Sequence, residues 1–255
     1  MITNKIRKNW EAKKAVVNAW ISAPFPLHAE MAAHAGFDSV CMDMQHGLID
    51  LEHIPGMLSA TSHGEVSVIC RVPWLEPVAI MKALDYGSDA LICPMINTAG
   101  QAEQFVRLSS YPPIGIRSFG PTRACVIHGA EYHKKANDTL VRFAMIETKE
   151  AVANAEAIMT TKGIDAVYIG PSDLSFSYGL EPKLDHESQK MLDIISHILK
   201  VSKRQGKHAG IHCASPAYAK KMLALGFDFV TPCTDISLVR KGFNTALKEM
   251  RNHRQ

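Results

Sequence analysis

The 255-residue sequence predicts an α/β protein built as one TIM (β/α)8 barrel spanning residues 1–255. Three observations carry this reading. Short β-branched apolar runs alternate with longer segments of helical period. Several runs, such as VYIG and LICP, are apolar almost without alternation, as parallel strands covered on both faces require. A Gly-x-Asp-x-[Val/Leu] pattern recurs at Gly36, Gly87, Gly163 and Gly226, with spacings of 51, 76 and 63 residues. Each copy closes a helix and opens a strand, and each interval fits two βα units. Eight such units in about 250 residues is the arithmetic of this barrel. The alternative is a doubly wound open sheet, but no G-x-G-x-x-G or Walker sequence favours it.

Taken in order, the expected strands cover residues 15–22, 39–44, 67–72, 90–94, 142–147, 166–169, 208–212 and 229–231. The helices between them are punctuated by their ends. Ser215 and Pro216 open one and Gly226 closes it, following the preference for an N-cap serine, an N1 proline and a C-terminal glycine. Glu76, Pro77 and Gly87 mark another in the same way. Residues 187–205 carry Met191, Leu192, Ile195, Ile198 and Leu199 on one face and stop at Gly206. The motif glycines read as helix C-caps, and the motif aspartates as ties for the short loops that follow. Residues 111–139 lack a strong period and read as a long loop, a kind of segment that often carries function.

Composition narrows the function classes. With 28 Lys+Arg against 25 Asp+Glu, the net charge of +3 is too small for a nucleic-acid or membrane-surface binder. No apolar run nears the roughly 20 residues that cross a bilayer. The basic start lacks the apolar core of a signal peptide. The six cysteines show no C-x-x-C or zinc-like spacing and read as free thiols of a reducing cytoplasm.

In such a barrel, reactive groups stand where strands end. Asp43, Gln45 and His46 follow the second strand, Arg71 sits within the third, Glu147 ends the fifth, and Asp173 follows the sixth. Glu147 and Asp173 come from adjacent strands and suit one hard cation that keeps several waters, Mg²⁺ or Mn²⁺. The competing reading is that each caps a loop or helix. An arginine in a barrel strand needs an anion. That anion is either a structural partner, Asp43 or Asp85, or a substrate carboxylate or enolate oxygen. His46 is the leading general base, with Asp43 or Asp85 as its carboxylate partner. Imine chemistry is disfavoured because no strand carries a lysine at its mouth.

The segments GFDSVCMDMQHG, RVPW, YPPIGIRSFG, MIETKEAV and GIDAVYIGPSDLS together resemble the HpcH/HpaI family of pyruvate-dependent class II aldolases, over nearly the whole chain. The resemblance implies His46 as catalytic base, Asp85 as the carboxylate that raises its basicity, and Arg71 as the enolate-stabilising residue. It implies Glu147 and Asp173 as metal ligands, with Mg²⁺, Mn²⁺ or Co²⁺ open, and Gly170, Pro171, Ser172 and Asp173 against pyruvate. It also implies a homo-oligomer, trimer or hexamer, with a C-terminal helix packed on a neighbour. Met145 stands where the family's heptanedioate enzymes have glutamine, and Gln45 where glutamate is common. His212 adds an imidazole to the substrate pocket where an apolar residue is expected. The expected reaction is reversible cleavage of a 4-hydroxy-2-oxo acid to pyruvate and an aldehyde. The alternative is a citrate-lyase-type reaction on an acyl-CoA thioester, with Arg117 and Arg123 for the CoA phosphates. A barrel retained only for binding is the third possibility.

Overall fold

The computed structural model describes residues 4–252. Eight strands, β1 (Val16–Ile21), β2 (Ser39–Asp43), β3 (Ser67–Arg71), β4 (Ala90–Cys93), β5 (Val141–Ile146), β6 (Ala166–Ile169), β7 (His208–His212) and β8 (Phe229–Thr231), form a closed barrel in sequence order. All neighbours pair in parallel, and β8 closes on β1. The expected strands are therefore all present: β1 to β4 are trimmed by one residue at an end or at both, β5 starts and ends one residue earlier, and β6 to β8 have the expected bounds.

Helix α1 (Lys5–Glu11) precedes the barrel. Between strands come α2 (Pro26–His34), α3 (Ile54–Ala60), α4 (Pro77–Asp85) and α5 (Ala99–Ser109). Then follow α6 (Thr122–His128), α7 (His133–Thr139), α8 (Lys149–Ala153) and α9 (Ala155–Thr160). Helices α10 (Pro171–Ser177), α11 (Gln189–Arg204), α12 (Pro216–Leu225) and α13 (Asp235–Asn252) complete the chain. The long loop expected over residues 111–139 is corrected here, because α6 and α7 lie within it. Their helical period is weak since they bury little: Ala124, Ala136, Tyr111 and Tyr132 form a small separate cluster.

Strand parity divides the core. Val16, Trp20, Cys41, Ile69, Ile92, Phe143, Met145, Tyr168 and Phe229 fill the barrel interior, while their neighbours Ile21, Val40, Met42, Ile146 and Ile211 face the helices. Ile6 and Trp10 of α1 plug the N-terminal end, Trp10 standing edge-on to Phe143 at 5.8 Å. Gly210 is an interior position that only glycine fits, because a Cβ there would lie 2.8 Å from the Tyr168 ring.

The recurring aspartates do more than tie a loop. Asp38, Asp89, Asp165 and Asp228 accept side-chain hydrogen bonds from the backbone N–H of Val17, Val68, Arg142 and Ala209, each in the preceding odd-numbered strand. The backbone N–H of each aspartate donates to the carbonyl of that same residue. The four aspartates thus fix register at the N-terminal end of the barrel, leaving the opposite mouth free for chemistry. Each motif glycine has φ between +94° and +106°, where L side chains are strained.

Candidate active site

A cavity of about 230 Å³ opens at the C-terminal mouth. Trp20, Asp43, His46, Arg71, Met145, Gly170, Ser172, Asp173 and His212 line it, so most of the sequence-predicted site residues meet in one place. Inward parity explains the set: Trp20, Asp43, Arg71, Met145 and His212 all stand on interior positions near strand ends.

Arg71 and Asp43 are register partners on β3 and β2. Arg71 Nε and Nη2 donate to the two Asp43 carboxylate oxygens at 2.8 and 2.7 Å, a bidentate fork. Burial alone would raise the Asp43 pKa, but the guanidinium outweighs it and holds the carboxyl below its ordinary value. Asp43 also receives the indole N–H of Trp20 and the backbone N–H groups of Gln45 and His46. The structural partner foreseen for Arg71 is therefore real, and it orients the guanidinium, whose Cζ lies 4.8 Å from the Trp20 ring centroid.

Glu147 follows the last residue of β5 and is 1% exposed. Its Oε1 accepts the Met95 backbone N–H at 2.7 Å, from a residue held at φ 55° after β4. Its Oε2 is buried without a hydrogen-bond partner. Burial pushes Glu147 up to about 7; the Met95 hydrogen bond and the charge of Arg71 oppose this, and the charge of Asp173 adds to it. A Cβ on Gly170 would stand 2.6 Å from Oε2 and 2.5 Å from the Met145 methyl, so glycine keeps this space open. Pro171 opens α10, carrying Ser172 and Asp173 in the first turn at the mouth, where helical N–H groups lack intrahelical partners.

His46 is exposed at the mouth, and its imidazole has no carboxylate partner among the described residues, since Asp43 binds its backbone. Asp85 is not brought to His46 within this chain. It ends α4 and pairs with Arg117 at 2.8 Å. Helix α4 runs back along β3, so its last residue is delivered to the end of the barrel opposite His46. Arg117 in turn stacks over Tyr111 at 4.3 Å. The YPPIGIRSFG segment therefore builds a wall within this chain and lies outside the pocket. Arg123 donates to the Tyr86 carbonyl and the Ser59 hydroxyl.

The residues that sequence reasoning missed are Trp20, Ser22, Leu184 and Thr234. Trp20 had a usable signal, as a bulky aromatic at the end of the first strand. The others sit on loops whose path no periodicity reveals.

The HpcH/HpaI aldolase/citrate lyase family model matches residues 17–241. This chain belongs to that family. It is a carbon–carbon lyase of the aldolase type. It is 38% identical to a hydroxypyruvate/pyruvate aldolase of Rhizorhabdus wittichii, over 97% of this chain and 99% of that one. It is 31% identical to the 5-keto-4-deoxy-D-glucarate aldolase of Shigella dysenteriae, over 93% of each. In three dimensions it is similar to an HpcH/HpaI aldolase/citrate lyase family protein of Burkholderia cenocepacia, with a TM-score of 0.91, 28% identity, and coverage of 98% and 100%. The eight-strand order and the pocket at the strand ends fit this membership.

Proposed function

We propose that this enzyme reversibly cleaves a 4-hydroxy-2-oxo acid to pyruvate and an aldehyde, with a divalent ion held by Glu147 and Asp173. The observation that carries the reading is the buried, unpartnered Glu147 Oε2 beside Gly170, within the electrostatic reach of Asp173 and Arg71. No group of three His, Cys, Asp or Glu ligands occurs among the described residues. Two carboxylates fit Mg²⁺, Mn²⁺ or Co²⁺ taking its other oxygens from substrate and water. When bound, such an ion acts as a Lewis acid on the 2-oxo group.

The chain's own residues do the rest. Arg71, oriented by its fork to Asp43, offers its remaining N–H groups to the enolate oxygen that develops as the C3–C4 bond breaks. His46 takes the proton of the 4-hydroxyl, so that oxygen becomes the aldehyde carbonyl while the bond's electron pair passes into the enolate. Protonation at C3 then gives the methyl of pyruvate, and the steps reverse in synthesis. The first-turn N–H groups at Ser172 and Asp173 face the substrate carboxylate, with Gly170, Pro171 and Met145 shaping the donor side.

The thioester alternative draws no support from Arg117 and Arg123, whose guanidinium groups are engaged within the fold. We place the enzyme in the cytoplasm: all six cysteines are unpaired, and no described helix is long and apolar enough to cross a membrane. A homo-oligomer, trimer or hexamer, is supported by the apolar face of α13. Ile236, Val239, Phe243, Leu247 and Met250 recur on it at helical spacing and are all exposed.

The test is pyruvate release from a 4-hydroxy-2-oxo acid, with added Mg²⁺ or Mn²⁺ and then with EDTA. Metal-dependent release that collapses in Glu147→Gln is the expected result. Release unaffected by both chelation and Glu147→Gln would overturn the proposal.

A further inference from the structure

Between α10 and α11, residues 178–188 form no helix or strand, yet this strap is tied down at both ends. Tyr178 and Leu180 pack against the main core, and the buried Ser175 hydroxyl of α10 lies 3.0 Å from the Glu181 carbonyl. At the far end, Asp185 and His186 are bonded to the start of α12. One Asp185 carboxylate oxygen accepts the Ala214 backbone N–H at 2.7 Å, and the other accepts the Ser215 hydroxyl at 2.6 Å. Ser215 Oγ in turn accepts the Tyr218 N–H at 3.2 Å as the N-cap of α12, and the Tyr218 hydroxyl donates to the His186 carbonyl at 2.8 Å. Two adjacent strap residues are thus joined to two α12 residues that are joined to each other. Such a closed ring of hydrogen bonds holds a loop in one place.

The residue this ring holds in place is Leu184, which lines the active-site cavity. Helix α10 carries Ser172 and Asp173 in its first turn, and its seven residues take the chain about 10 Å away from them. The return of Leu184 to the cavity is therefore a tertiary effect of the bonds to Ala214 and Ser215, just beyond His212 at the end of β7. In the proposed reaction the 2-oxo acid occupies the floor, between Arg71, Glu147 and the first turn of α10. Its C3, where the new bond forms in synthesis, must face outward to meet an aldehyde arriving from solvent. The substituent of that aldehyde then lies at the rim. There the loop side chains are Ser22, Leu184 and Thr234, of which Leu184 is the bulkiest and the one without a polar atom.

We infer that Leu184 is a specificity-determining residue for the aldehyde, its side chain forming a wall against the substituent, and that Asp185 is the positioning residue that holds it there. The inference rests on the aldol reading above and deepens it on the acceptor side. A fixed hydrocarbon wall discriminates by size, and one methylene more or less in such a pocket changes the rate by about 10- to 200-fold. Asp185 lies outside the cavity lining and acts through the strap alone.

The test is aldol addition of pyruvate to acetaldehyde and to 3-methylbutanal with the Mg²⁺- or Mn²⁺-loaded enzyme, beside deuterium exchange into the pyruvate methyl, which needs no aldehyde. Leu184→Ala should raise the kcat/KM ratio of 3-methylbutanal over acetaldehyde at least about tenfold. Asp185→Ala should move the same ratio in the same direction, chiefly through KM for the aldehyde, while pyruvate exchange stays within about threefold of wild type. Asp185→Asn, which keeps an oxygen for the Ala214 N–H, should recover much of the wild-type ratio. Thermal melts of the variants establish that they fold. An unchanged ratio in Leu184→Ala would overturn the assignment. So would an Asp185→Ala enzyme that keeps the wild-type ratio, or one that loses exchange and addition equally. A wild type that exchanges no pyruvate hydrogen with either metal would contradict the 2-oxo-acid reading itself, and the assignment would fall with it.

Discussion

At the residue scale, the Arg71–Asp43 fork has two duties that a single substitution cannot separate. It is buried, with side chains 8% and 3% exposed, so removing one partner strands the other charge. Arg71→Ala should cost about 3–5 kcal/mol of stability as well as activity, read by denaturant unfolding beside the kinetics; a stability unchanged by Arg71→Ala would mean that the fork does not hold in solution. His46 is the opposite case, exposed and bonded only through its backbone. His46→Ala should lower kcat by about 100- to 10,000-fold with little change in Tm, and retention of wild-type cleavage would remove it from the mechanism. His212 supplies a pH dependence of stability. Its folded pKa near 3 lies below the ordinary 6.5, so between those values the unfolded chain binds more protons and stability falls as pH drops. Melts at pH 4.5 and 7 should show a smaller acid loss in His212→Asn than in wild type; an equal loss would refute the buried neutral imidazole.

At the element scale, much was legible in advance because local chemistry and global fold agree. Helix α12 runs between Ser215 and Gly226, as its cap residues announce, with Gly226 at φ 106°. The Gly-x-Asp pattern located four strand entrances, although its aspartates reach the preceding strand rather than their own loop. That reach is a tertiary contact, invisible to a local window. The place of Asp85 was illegible for the same kind of reason. Its number says nothing about which end of the barrel a helix terminus occupies, whereas tracing α4 back along β3 does. Residues such as Glu147 were legible because a charged group ending an apolar strand has few explanations, yet the Met95 N–H that orients it comes from a loop. Gly210 tests the interior packing: Gly210→Ala pushes a methyl into Tyr168 and Phe229 and should cost about 1–3 kcal/mol. Unfolding as stable as wild type would show that these rings can give way.

At the scale of the whole molecule, the closed barrel leaves most of one helix uncovered. Beyond its first turn α13 extends past the body, with Phe243 73% and Met250 70% exposed. An apolar cavity of about 270 Å³, lined by Met31, Phe37, Leu238 and Val239, lies where α13 leaves α2 and β1. Phe243→Asp combined with Leu247→Asp should reduce the mass measured by light scattering, and an unchanged mass would place the subunit contacts elsewhere.

In the proposed reaction Glu147, Asp173 and Arg71 form a site for the enolate of pyruvate, and enolisation can be observed without knowing the aldehyde. Deuterium exchange into the pyruvate methyl, followed by NMR in D₂O, measures it directly. We predict exchange that requires Mg²⁺ or Mn²⁺, stops with EDTA, and is lost in Glu147→Gln. No exchange under any of these metals, or exchange indifferent to Glu147, would contradict it.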